Sequence, residues 1–183
     1  MNKIIHVLLV CLSVVGCSRN SSPVQVISPI EFGGYQISPP YGYWYFPRKI
    51  SSDFRKSDFL VLLTFWPNKK DVTYRNRQYA PGEQVIFLNF VIAENKYGSF
   101  EAYYAAAKKA GVTYLDLSPE QKILQMIPDW SCKQSNEGIY GIECISLRDD
   151  LLTIGVHGDD KNQVLMKIPL LKRMIESLIA LKT

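Results

Sequence analysis

Apolar residues along this chain fall into several kinds of run. The first, Ile4 to Val15, is nearly continuous, with Lys3 before it and the polar stretch from Ser18 to Ser22 soon after. It matches the apolar core of a secretory signal and falls short of the roughly 20 apolar residues that a bilayer span needs. Phe59 to Trp66 and Val85 to Ala93 are runs of strand length, bounded by Asp58, Pro67-Asn68 and Pro81-Gly82. Neither fits helical spacing, and both read as strands buried on two faces. The polar, basic segment from Asn68 to Tyr79 then reads as a long hairpin connection. Further strands are expected from Tyr35 to the double proline Pro39-Pro40, around Trp130 to Lys133, at Ile139 to Leu147 and at Leu151 to His157. Asp149-Asp150 supplies a turn between the last two, and Gly158-Asp159-Asp160 ends the sheet.

Helix signals begin at Ser99, which caps the alanine-rich run Phe100 to Ala110 ahead of Gly111. Ser118-Pro119-Glu120-Gln121 is a second start, with a capping box and proline at the first helical position, and Pro128 ends it early. From Pro169 on, Leu171, Met174, Ile175 and Leu178 follow helical spacing, with Lys172, Arg173 and Glu176 on the other face. Strands, helix, strands, helix predicts an α+β fold. Its expected form is an antiparallel sheet with helices packed on one face and a C-terminal amphipathic helix.

The ending of the first run, Val14-Val15-Gly16-Cys17, resembles a bacterial lipobox. That resemblance implies cleavage before Cys17 and acylation of its sulfur, which would hold the chain on a membrane without a transmembrane helix. Ser18 does not resemble the aspartate that retains such proteins in the inner membrane, so the outer membrane is expected, with the folded part facing the periplasm. The organisation is then a signal peptide at 1–16, a lipidated cysteine and flexible Ser/Asn/Pro tether at 17–31, and one globular domain at 32–183.

Export places the chain in an oxidising compartment. There Cys132 and Cys144 remain as an even pair, once Cys11 leaves with the signal and Cys17 is acylated. The turn signal Ser135 to Gly138 between them predicts a hairpin and a disulfide. The composition, 47% hydrophobic and 12% aromatic with a net charge of +4, is that of a globular protein and not a disordered one.

Catalytic signals are thin. His157 is the single histidine beyond the signal, so any Ser-His-Asp arrangement or metal centre would have to use it. Asp149-Asp150 and Asp159-Asp160 are adjacent in turns and do not face one another across a scissile bond. No phosphate-binding glycine loop occurs. No catalytic residue, metal or cofactor is therefore expected. Tyr41, Tyr43, Trp44, Tyr45 and Phe46 form the densest aromatic cluster, which packs either in the core or as an exposed recognition surface. Arg48, Lys49, Arg55, Lys56, Lys69, Lys70, Arg75 and Arg77 concentrate positive charge against Asp53, Asp58 and Asp71. Tyr41, Tyr43, Tyr45, Arg48 and Lys49 are the candidate partner-binding residues.

The strand before the Pro-rich aromatic text at 35–46, the helix at 99–110 and the terminal amphipathic helix resemble the PsbP/Mog1/DcrB-like α+β families. The resemblance spans residues 32–181 and implies a largely non-catalytic domain, in a branch that includes bacterial lipoproteins. The expected function is a membrane-anchored, periplasm-facing lipoprotein that binds an envelope or secreted protein partner, and no nucleic acid. A structural, housekeeping envelope role and an immunity-type role against a periplasmic toxin are the alternatives.

Overall fold

A computed structural model of the chain describes residues 22–47, 61–72, 86–137 and 139–181. Cys17, Arg48 and Lys49 lie outside the described residues, as do Arg55, Lys56, Arg75 and Arg77. The fold is α+β, and among the described residues all strand pairs are antiparallel.

In chain order the strands begin with β1 (Val24–Gln25), β2 (Ile30–Phe32), β3 (Tyr35–Ile37), β4 (Trp44–Tyr45), β5 (Val61–Phe65) and β6 (Ile86–Glu94). They continue with β7 (Tyr114–Leu115), β8 (Ser131–Glu137), β9 (Ile139–Leu147), β10 (Asp150–Gly158) and β11 (Ile179–Ala180). The helices are α1 (Lys69–Val72), α2 (Phe100–Lys109), α3 (Lys161–Met166) and α4 (Ile168–Glu176), with a 3-10 helix at Pro119–Met126. A six-stranded sheet in the order β5-β6-β10-β9-β8-β7 forms the body. Smaller sheets β11-β3-β2 and β1-β4 attach to it, the latter through the Trp44–Trp66 bridge beside β5.

Strand alternation sorts the large sheet into two faces. Leu63, Phe90, Ile154, Cys144 and Cys132 are successive cross-strand partners on one face, and all are buried. Over this row pack Leu124 of the 3-10 helix, Val164 of α3, and Ile168, Leu171, Met174 and Ile175 of α4. The amphipathic spacing read from the sequence therefore seats α4 on the core. Phe32 and Tyr35 of the small sheet close the same core against Phe90, and the Tyr35 hydroxyl donates to Asp150 Oδ2 at 2.8 Å. The opposite face carries α2 at one end, where Tyr103 and Ala107 meet Val112 and Ile145.

The caps fall where the sequence puts them. Ser99 accepts from Ala102 N, Gly111 follows α2 with a φ of 96°, and Ser118 and Gln121 form a capping box. Four expectations need correction. The helices do not share one face, because α2 packs on the side opposite α3 and α4. The folded part begins before Phe32, because Val24-Gln25-Val26 pairs along β4 and Val26 is 3% exposed. Burial on two faces belongs to β9 and β10, while β5 and β6 alternate buried with half-buried positions. β9 and β10 are covered on both faces, whereas the second-face residues of β5 and β6 stay half-buried. The turn between the cysteines is also tighter than Ser135 to Gly138, since pairing continues to Glu137 opposite Ile139.

Cys132 and Cys144 are direct cross-strand partners joined by a disulfide, with Cα atoms 4.0 Å apart. Replacing both by alanine is expected to cost about 2–3 kcal/mol, because the bridge closes a short loop in the unfolded chain. Urea unfolding of the double variant beside the parent measures this. A loss below about 0.5 kcal/mol would show that the bridge does not constrain the unfolded chain as the loop-closure argument requires.

Candidate functional site

The second face of the large sheet holds the chemistry. Its register forms one row across the molecule: Gln25 opposite Trp44, Trp44 opposite Trp66, then Phe87, His157, Gly141, Ser135 and Tyr114. The next row runs Thr64, Asn89, Gly155, Glu143, Lys133. The first row is aromatic at one end. Lys69 Nζ sits 5.0 Å over the Trp44 ring, Trp66 and Phe87 meet at 4.9 Å, and Phe87 stacks on His157 at 5.3 Å and 21°. Trp44, Trp66 and Phe87 are half-buried.

The other end is polar and closed. Glu143 is 5% exposed and His157 8%. The Tyr114 hydroxyl donates to Glu143 Oε2 at 2.5 Å, and Tyr103 Oη lies 3.4 Å from that hydroxyl. Glu143 Oε1 lies 3.6 Å from His157 Nε2, beyond hydrogen-bond reach. Lys133 stands opposite Glu143 in register, but its ammonium pairs with Asp116 and lies 5.6 Å from the Tyr104 ring centroid. Burial holds the His157 imidazole below its usual pKa, against the opposing pull of the Glu143 charge, so the ring is neutral at neutral pH. Burial likewise raises the phenols of Tyr103 and Tyr114 well above their usual value and pushes Tyr104 up to about 12.

Two glycines make room for the imidazole. A Cβ on Gly141 would stand 2.5 Å from His157 Nδ1 and 2.6 Å from Ser135 Oγ. One on Gly155 would stand 2.6 Å from Asn89 Oδ1 and 2.8 Å from His157 Nε2. Ring and amide thus lie down over bare backbone. His157 Nε2 and Asn89 Oδ1 are buried with no hydrogen-bond partner.

Of the residues singled out in the sequence, His157 is in this cluster. A carboxylate and the Ser135 hydroxyl are near it, yet no hydrogen bond joins Ser135 to His157, and all three side chains are buried. The paired aspartates are not brought together as a site. Asp150 accepts from Tyr35, and Asp160 caps α3 by accepting from Asn162 N at 2.8 Å and Gln163 N at 3.4 Å. Tyr41 is 80% exposed, whereas Tyr43 and Tyr45 pack against the core, Tyr45 on Phe65 at 5.7 Å. The three tyrosines do not share an exposed face; core packing holds for two of them and exposure for the first. Among the described residues no three of His, Cys, Asp and Glu converge as metal ligands, and no helix is long and apolar enough to cross a membrane.

Sequence reasoning missed Glu143, Asn89, Tyr114, Trp66 and Phe87. The signal available was a lone acid inside the apolar run Ile142-Glu143-Cys144-Ile145, since a carboxylate in a buried strand needs a partner. Comparison of the chain with protein-family models, with curated proteins and with solved structures finds no match.

Proposed function

We propose that this chain is a lipid-anchored protein of the bacterial envelope, held through Cys17, that acts by binding another envelope or secreted protein and performs no catalysis. The observation that carries the binding part is the half-buried aromatic row Trp44, Trp66 and Phe87, with Lys69 over its outer end and Tyr41 projecting nearby in sequence. Large, rigid aromatic side chains supply contact area at low entropic cost and concentrate at interfaces. They shift the candidate contact from Tyr43 and Tyr45, which the core uses, to Tyr41 and the tryptophans. The burial of Ser135, Glu143 and His157 supports a non-catalytic reading, because a nucleophile must meet its substrate.

Two experiments test the two halves. Replacing Cys17 by serine is expected to move the protein from the membrane to the soluble fraction. Sedimentation of that variant with membranes, as the parent does, would remove the anchor. A photo-crosslinking residue placed at Tyr41 or Trp44 in living cells is expected to give a discrete adduct that the same residue at Glu101 on α2 does not. Equal labelling at all three positions, or none, would remove the binding surface.

A further inference from the structure

We propose that Asn89 Oδ1, Glu143 Oε1 and His157 Nε2 form a binding site for a divalent transition-metal cation of the zinc class. The three groups converge from three strands. Asn89 and Glu143 flank Gly155 on either side in register, and His157 is the next residue of β10 on that face. All three atoms can act as acceptors, and two of them are buried without a partner. Among the described residues the Glu143 carboxylate meets no lysine or arginine within ion-pair distance, and its one hydrogen-bond donor is Tyr114. A buried acid with no matching cation is costly.

Distance separates the ways of filling this gap. At 3.6 Å, His157 Nε2 and Glu143 Oε1 are too far apart for a direct hydrogen bond. A water about 2.8 Å from both would hold them at an angle of about 80°, well short of its own H–O–H angle. An ion about 2.1 Å from both would hold them at about 118°, close to the tetrahedral value. The surroundings also orient the donors. Tyr114 occupies Oε2 and leaves Oε1 turned to the imidazole. Phe87 fixes the ring plane, and Nδ1 lies beside Ser135 Oγ over Gly141. Tyr114 thus fixes the carboxylate through its far oxygen, which is one way proteins hold a ligand toward a metal. Imidazole nitrogen and carboxylate oxygen are zinc ligands, and the Asn89 carbonyl oxygen would supply a harder third donor beside them.

The test is zinc stoichiometry by elemental analysis, on full chain refolded from urea with its disulfide intact in the presence of Zn2+ and then dialysed. The expected result is one equivalent that disappears in His157→Gln. Asn89→Leu is expected to weaken affinity tenfold or more, and Tyr114→Phe, which removes only the orienting hydroxyl, 10- to 100-fold. Circular dichroism confirms that each variant folds. No bound zinc in the parent would overturn the proposal and leave the gap to water. Zinc retained unchanged in His157→Gln and Asn89→Leu would overturn it equally, by placing the ion elsewhere.

Discussion

Replacing Phe90 by alanine is expected to cost about 3–5 kcal/mol, a large share of the roughly 5–15 kcal/mol that keeps a domain folded. Phe90 has no exposed surface and lies on β6, between the edge strand β5 and the central strand β10. Its ring touches Phe32 with centroids 6.1 Å apart and Tyr35 edge-on at 6.4 Å. These contacts dock the small sheet β11-β3-β2 on the large one. The variant therefore loses the transfer energy of a benzyl group and also leaves a cavity between two sheets that cannot easily collapse. The tie from Tyr35 to Asp150 loses the packing that aligns it. Urea unfolding followed by far-ultraviolet circular dichroism gives the loss, with Val91→Ala, half-buried on the opposite face, as the internal comparison. A Phe90 loss no larger than that of Val91 would mean that the core does not run through this row.

Much of the fold is written locally. Ser99, Ser118 and Gln121 announce their helices because capping is a contact between residues three apart. Leu171, Met174 and Ile175 announce the buried stripe of α4 in the same way. What is not legible depends on pairing between distant segments. β6 pairs with β10 across the whole β7–β9 insertion, so nothing near Asn89 says that Gly155 and then Glu143 lie beside it. α3 escapes because six residues with one buried side chain, Val164, make too short a pattern to show a period. A disulfide between cross-strand partners centres the hairpin midway between Cys132 and Cys144, and that puts Ser135 inside β8 on the face of His157.

Gly141→Ala is the second large expected effect, and its sign depends on one neighbour. The added methyl would stand 2.5 Å from His157 Nδ1, 2.6 Å from Ser135 Oγ and 3.0 Å from His157 Cε1. Ser135 can rotate its hydroxyl away. The imidazole cannot retreat easily, because Phe87 is stacked on it at 5.3 Å. Overpacking of this kind costs about 1–3 kcal/mol. Against it stands the roughly 0.5–1 kcal/mol that alanine regains over glycine in a strand through the unfolded chain. In the parent the clash dominates and the variant is less stable. In a His157→Ala background the obstacle is gone, and the same substitution is expected to be neutral or stabilising by a few tenths of a kcal/mol. The double-mutant cycle should therefore show a coupling of at least about 1 kcal/mol between positions 141 and 157, as residues in contact do. Additive effects within about 0.5 kcal/mol would show that the imidazole does not lie over Gly141, and the acceptor cluster built around it would then lose its geometry.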